Sequence, residues 1–117
     1  MAAPGSIQSL NEQVEEAENE NSPDIDYHSV KKASLVLRAL NHKLRQQVIK
    51  TIHENKKLTV TELYVKLRLE QSVASQHLAI LRRAGIVVTQ REGKFIFYSI
   101  NSSRIEAIKQ FVKSLLG

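Results

Sequence analysis

A polar surface without carboxylates is the feature of this chain that best suits a specific chemistry. It lies in the segment from Gln71 to Val87, whose apolar residues recur at spacings of three and four and predict an amphipathic helix. The polar side carries amides and hydroxyls near its start and cations near its end: Gln71, Ser72, Ser75, Gln76, Ala79, Arg82 and Arg83. These groups offer hydrogen-bond donors to base edges and phosphates. The segment therefore predicts a helix that contacts DNA, rather than an ordinary solvated surface helix.

Residue type divides the candidate DNA contacts into two kinds. Gln71, Ser75 and Gln76 are predicted to contact base edges, because a Gln side chain can pair bidentately with adenine. Ser72 is predicted to bind a phosphate together with the N-terminal amides of the helix. The cations predicted to contact the DNA backbone are Arg82, Arg83, Arg91 and Lys94.

Charge is distributed unevenly along the 117 residues. Residues 1–26 contain seven Asp and Glu and no Lys or Arg, whereas residues 27–117 contain all seventeen Lys and Arg and five Glu, a net of +12. Residues 1–24 are therefore expected to form an acidic, mostly disordered tail, and residues 25–117 a basic folded domain. A basic domain of this kind indicates a polyanion partner, most commonly nucleic acid, although a basic surface without a specific partner is the alternative.

Composition also excludes several classes of protein. The chain has no Cys, which excludes disulfides, thiol redox sensing and thiolate metal sites. It lacks both a signal peptide pattern and an apolar run of eighteen residues, so a cytoplasmic location is expected. No nucleophile–base pair, paired carboxylates or Gly-rich phosphate loop is present, so no catalytic residue, cofactor or enzyme activity is predicted.

The period of the apolar residues predicts four helices in the first part of the folded domain. The predicted bounds are Tyr27–Leu40, Lys43–Glu54, a third helix that starts at Thr59 or Thr61, and the segment from Gln71 that Gly85 ends. Asn55, Lys56 and Lys57 predict a turn between the second and third helices.

Beyond the fourth helix the period changes to two. Strands are predicted at Ile86–Gln90 and Lys94–Ile100, joined by a tight turn at Arg91–Gly93. A last helix, Arg104–Leu116, follows the capping residues Asn101–Ser103. The order α-α-α-α-β-β-α is mainly α with a β-hairpin wing. Because the third and fourth helices form a helix-turn-helix, the predicted fold class is a winged helix-turn-helix.

Residues 43–100 resemble the ArsR/SmtB family of bacterial winged-helix repressors. The matching residues are Glu62-Leu63, Leu67, Leu69, Gln71-Ser72, Ser75, His77-Leu78, Leu81-Arg82 and Ala84-Gly85-Ile86-Val87, then Arg91-Glu92-Gly93-Lys94 and Phe97-Tyr98 in the wing. The resemblance implies a homodimer that binds a double-stranded operator reversibly, with the first and last helices at the interface. The apolar residues expected there are Val36, Leu37, Ile108, Phe111, Val112 and Leu115.

The metal-sensing motifs of this family are missing. Family members that sense a metal through the third helix carry Cys-Val-Cys in it, and this chain has Tyr64-Val65-Lys66 at those positions. Members that sense zinc through the last helix need His and Asp there, and the last helix of this chain has neither. No metal site is therefore predicted, and His77 is interpreted as a buried, hydrogen-bonded core residue. The other three histidines are interpreted as solvated or interfacial.

Two alternatives share this predicted fold. A winged-helix protein-interaction module would use the scaffold without reading DNA, and a non-specific architectural protein would bind DNA through charge alone. The Gln, Ser and Arg side chains of the fourth helix favour a specific repressor. The sequence does not identify what relieves repression: a small organic effector, a protein partner and regulation through the protein's own abundance stay open. The acidic tail either aids solubility or competes with DNA for the basic face.

Overall fold

The computed structural model describes residues 23–117, which contain five helices and one three-stranded antiparallel sheet. The elements in chain order are α1 (Tyr27–Leu40), α2 (Lys43–Asn55), β1 (Lys57–Leu58), α3 (Val60–Leu67), α4 (Gln71–Arg83), β2 (Val87–Glu92), β3 (Phe95–Ile100) and α5 (Ser102–Leu116). The mainly α winged fold is confirmed, and the prediction for the acidic tail, residues 1–24, falls almost wholly outside the described residues. Residues 33–117 form one compact unit that contains the core.

Side-chain and backbone caps fix the helix bounds. Thr59, not Thr61, begins α3: its hydroxyl accepts from the Glu62 amide, and the Glu62 carboxylate accepts from the Thr59 amide, which completes the predicted capping box. Gly85 has φ of +74°, and its amide donates to the Arg82 carbonyl while the next amide, of Ile86, donates to Leu81. This is a Schellman motif, so Gly85 ends α4 as predicted.

The sheet corrects two predictions of local structure. Lys57 lies in β1, which pairs with β3 at the register Lys57↔Ser99, rather than in a turn. The hairpin turn is formed by Gly93 and Lys94, since Glu92 pairs with Phe95 and β2 extends through Arg91. Gly93 takes the positive φ that the first position of a tight two-residue turn favours. The strand order is β1-β3-β2, so the predicted hairpin gains a third strand.

The core is formed by apolar residues of all the helices except α5, of the sheet and of the connection between α4 and β2. Its members are Ala39, Val48, Ile52, Leu58, Leu63, Ala74, Leu78, Leu81, Ile86 and Val87. Ala74, Leu78 and Leu81 belong to the apolar stripe predicted for α4, so that side of the helix is anchored and the opposite side faces solvent. Within residues 23–117, no helix is long and apolar enough to cross a membrane.

Candidate nucleic-acid interface

The first two turns of α4 present to solvent the three residues predicted to contact base edges and the serine predicted to bind a phosphate. Gln71, Ser72, Ser75 and Gln76 are all exposed. Their position follows from the burial of the opposite side of α4, which leaves the polar side no other orientation. Glu70, the residue that precedes α4, makes no side-chain hydrogen bond to the helix N-terminus. The Glu70 side chain therefore leaves the N-terminal amides of α4 free to donate to another acceptor.

A shallow groove of about 440 Å³ connects the last turns of α4 with the wing. The α4 residues that line it are Ser75, Ala79, Arg82 and Arg83. Tyr98 of β3 completes the lining, and the sequence does not mark it for this role, because aromatic residues in a strand are ordinary sheet formers. The groove thus joins two cations, a hydroxyl and a phenol ring on one surface.

The wing carries two exposed cations close to its turn. Arg91 donates from Nε to the Gly93 carbonyl at 3.0 Å, and the Lys94 ammonium lies 5.3 Å from the centre of the Phe95 ring. Neither cation lines the α4 groove, and no described contact pairs either of them with a carboxylate. Both remain available to a phosphate.

The only carboxylate of the wing is neutralised by a cation from another strand. Lys57 of β1 donates to both Glu92 oxygens, at 2.7 and 2.8 Å, and its ammonium also lies 4.6 Å from the centre of the Phe97 ring. This pair leaves the charges of Arg91 and Lys94 unopposed. The role of Lys57 could not be predicted because the strand that carries it has only two residues.

His77 lies beside two other basic groups on the inner flank of α4. It is half-buried, not fully buried as predicted, and its Nδ1 lies 3.4 Å from Nη1 of Arg45. The imidazole rings of His77 and His42 are 5.0 Å apart between centres. Burial lowers the pKa of His77 below its ordinary value of 6.5, and the charges of His42 and Arg45 lower it further.

The predicted dimer residues form a partly exposed apolar surface on α1 and α5. Val36, Leu37, Ile108 and Phe111 line one groove of about 170 Å³ between the two helices. Phe111 is 46% exposed and Leu115 67% exposed, with Val112 between them also exposed. No residue of α5 is buried. Ile105 and Ile108 are partly buried against the core, so the described chain leaves the apolar side of its last helix uncovered only beyond them, at Phe111, Val112 and Leu115.

Metal-ligating side chains do not cluster in the described part of the chain. Among residues 23–117, no three His, Asp or Glu side chains lie close enough to hold a metal ion. Val65 and Lys66, which stand at the position of the family's cysteine motif, are exposed on α3, and Tyr64 is half-buried. These three residues offer no soft ligand.

A helix-turn-helix whose second helix exposes a polar, carboxylate-free side next to a cationic β-hairpin defines a winged helix-turn-helix protein. Residues 42–89 match the family described as bacterial regulatory protein, arsR family. The chain belongs to this family, and it is a DNA-binding transcriptional regulator.

Two curated regulators and one crystal structure illustrate the similarity. The chain is 38% identical to the transcriptional activator HlyU of Vibrio cholerae over 84 residues, which are 72% of this chain and 77% of HlyU. It is 33% identical to the transcriptional repressor PagR of Bacillus anthracis, over 72% of this chain and 84% of PagR. The crystal structure of PagR superposes with a TM-score of 0.61 at 31% identity, covering 74% of this chain and 99% of that one.

Proposed function

We propose that the chain binds a pseudo-palindromic promoter site as a homodimer, with each α4 in a major groove, and represses transcription by excluding polymerase. The observation that carries the proposal is the polar side of α4, which is exposed, free of carboxylates and fixed by the buried residues Ala74, Leu78 and Leu81. A helix presented in this way suits the width of the major groove.

Sequence reading and phosphate binding are assigned to different parts of the surface. Gln71, Ser75 and Gln76 contact base edges, and Ser72 with the α4 amides binds a phosphate. The residues proposed to bind the DNA backbone are Arg82, Arg83, Arg91 and Lys94. The exposure of all eight side chains and the pairing of Glu92 with Lys57 support this division.

Symmetry supports the assignment of the dimer interface to α1 and α5. An exposed apolar side on a terminal helix is best covered by the same side of a second copy, because a two-fold axis makes one patch complementary to itself. In the dimer, Val36, Leu37, Ile108, Phe111, Val112 and Leu115 would be buried across that axis. The two α4 helices would then be placed on one side of the assembly, as a palindromic site requires.

Two relatives by name regulate in opposite directions, since HlyU is an activator and PagR a repressor. We propose repression for this chain because steric exclusion of polymerase needs only the two surfaces already assigned, one for DNA and one for the second copy. It needs no further surface for contacting polymerase. In vitro transcription from a bound promoter tests the direction: added protein should lower transcript yield, and an increase would identify an activator.

The proposed signal is a small organic molecule or a protein partner, and not a metal ion or a thiol oxidant. Soft metals and oxidants act through thiolates, which this sequence cannot supply. Adding zinc at micromolar concentration to the protein–DNA complex should release no DNA. Release that a chelator reverses, and that His28→Ala or His42→Ala abolishes, would contradict the proposal.

Selection from a random duplex library tests the function as a whole. The protein should enrich a pseudo-palindrome whose half-sites are separated by about one helical turn. Enrichment of no sequence, with binding that depends on salt alone, would identify an architectural protein. An absence of DNA binding at low salt would identify a protein-interaction module. We further propose that the chain is not an enzyme and acts in the cytoplasm, where bacterial promoters lie.

A further inference from the structure

Arg45 connects three helices through a single guanidinium group. It lies in the first turn of α2, where Nε donates to the Ala39 carbonyl at 2.7 Å and Nη2 donates to the Arg38 carbonyl at 3.3 Å. Its third contact, from Nη1, reaches His77 Nδ1 in the middle of α4. The last turn of α1 and the DNA-contacting helix are therefore joined by one half-buried side chain.

The contact between Arg45 and His77 requires the imidazole to be neutral. A guanidinium has only donors and keeps its proton throughout the accessible pH range, so His77 Nδ1 must accept. A proton on Nδ1 would bring two N–H groups face to face. It would also place a positive charge beside the guanidinium at a half-buried position, where water screens it poorly.

Among the three helices that Arg45 connects, all within residues 23–117, no acidic side chain is placed to compensate a protonated His77. The sequences of α1 and α4 contain no Asp or Glu, and the only carboxylate of α2, Glu54, lies in its last turn near Lys50. Within residues 23–117, the charged or titratable groups that face His77 are Arg45 and His42, while the side chain of Arg38 is exposed on α1. Proton uptake at His77 is therefore opposed by every such neighbour.

We propose that Arg45 and His77 are positioning residues that hold α4 in its DNA-binding orientation relative to α1, and that acidification releases this hold and weakens DNA binding. The inference rests on the proposed function, since α4 is taken as the reading helix. The proposal assigns a role in DNA binding to a residue of α2, Arg45. It also makes the DNA affinity depend on pH, although the side chains proposed to contact DNA do not titrate between pH 5.5 and 7.5.

The sign of the effect follows from proton linkage. Burial, and then the charges of His42 and Arg45, lower the pKa of His77, so the contribution of neutral His77 to this arrangement is present above the ordinary pKa of 6.5 and is lost as the pH falls through the lowered pKa. If the contact between Arg45 and His77 did not affect DNA binding, the DNA affinity would rise as the pH falls, since a protein that gains positive charge binds a polyanion more tightly. The direction of the pH dependence therefore distinguishes the two cases.

The decisive experiment compares DNA affinity at pH 7.5 and pH 5.5 at one ionic strength. The probe is the duplex that wild-type protein selects from a random library at pH 7.5, and fluorescence anisotropy gives the dissociation constant. Wild-type protein should bind about fivefold more weakly at pH 5.5, because apparent affinity falls with the fraction of competent protein. His77→Gln, whose amide oxygen can accept from Arg45 without taking up a proton, should abolish this loss.

Two further variants distinguish the contact between Arg45 and His77 from the general effect of histidine protonation on DNA affinity. His53→Gln removes an exposed imidazole from the last turn of α2 and should keep the wild-type profile. Arg45→Gln should weaken binding already at pH 7.5, with circular dichroism showing that the helices remain folded. Tighter wild-type binding at pH 5.5 would overturn the proposal, as would a pH effect that His42→Asn removes and His77→Gln retains.

An NMR titration of the histidine ring protons tests the link without DNA. The His77 signal should titrate below pH 6.5 in wild-type protein and shift to a higher midpoint in Arg45→Gln. An unchanged midpoint would show that Arg45 does not act on His77. If selection yields no duplex but the midpoint shifts, the proposed function fails and the positioning role fails with it. If a duplex is selected and wild-type protein and His77→Gln bind it with the same affinity at both pH values, only the positioning role fails.

Discussion

At the scale of single residues, the structure separates what residue type can predict from what it cannot. The exposed polar residues of α4 could be identified because helical spacing assigns each residue to a side of the helix. The partners of Arg45 and Lys57 could not, because each connects segments more than thirty positions apart, and nothing in the local sequence marks such pairs. Tyr98 could not be identified either, because an aromatic residue in a strand is an ordinary sheet former and its groove exists only once β3 lies beside α4.

Gln76 and Arg91 are expected to differ in how they affect DNA sequence preference. Gln76→Ala should cost about 1–3 kcal/mol on the selected duplex and relax discrimination at one or two positions, because a base-edge contact is lost. Arg91→Ala should weaken binding to all duplexes almost equally, because a phosphate contact carries no sequence information. Affinities for a set of single-position duplex variants measure both effects. An equal, sequence-independent loss in the two variants would contradict the division of roles.

Gly85 is expected to be required for its backbone conformation more than for its lack of volume. An added Cβ would lie 2.8 Å from Nη2 of Arg104, but that atom is the end of a flexible side chain that can move. The positive φ remains, so Gly85→Ala should lower the free energy of unfolding by about 1–2 kcal/mol, and Gly85→Asn by less. Urea unfolding measures these values. Full recovery of Gly85→Ala in an Arg104→Ala background would show instead that the close approach dominates.

At the scale of elements, the spacing of apolar residues predicts long segments well and short segments poorly. The predicted bounds of α1 agree with the structure, and those of α2 differ by one residue. The strand β1 cannot be predicted from the sequence, because two residues show no periodicity and only pairing with β3 makes them a strand. The predicted hairpin turn begins two residues before the observed one, since Arg91 and Glu92 are polar like turn residues but alternate sides in a strand.

The capping box of α3 gives a prediction for the first helix of the helix-turn-helix. Thr59→Ala removes the hydroxyl that accepts from the Glu62 amide and should cost about 1 kcal/mol of stability. Thr61→Ala is a matched control, because Thr61 is exposed inside the same helix and its loss should change stability by less than about 0.5 kcal/mol. Thermal or urea unfolding measures both. Equal costs would show that the cap does not stabilise α3.

At the scale of the whole molecule, charge and apolar surface are assigned to different parts of the chain. Residues 27–117 carry a net of +12, and the cations of α4 and the wing contribute to the side proposed to meet DNA. The exposed apolar side chains of α5 cannot serve that purpose, because DNA backbone binding depends on charge and polar donors. A second copy of the chain is the partner that accounts for them.

Disruption of the proposed dimer gives the most direct test of the assembly. Wild-type protein should have a solution mass of about twice the 13.3 kDa of one chain. Replacing Phe111 and Leu115 by Glu should give monomers, because carboxylates would be buried without partners across the two-fold axis. These monomers should also lose high affinity for the selected duplex, since two half-sites are then bound independently.

Lys113→Glu provides the control for added negative charge on the same helix. Lys113 is exposed and is expected on the side of α5 away from Phe111 and Leu115, because a two-residue step turns a helix by about 200°. This variant should remain dimeric in light scattering and should bind the selected duplex. A wild-type mass near that of one chain at micromolar concentration would contradict the dimer. A Phe111→Glu/Leu115→Glu variant that stays dimeric would show instead that the interface lies on a surface other than α5.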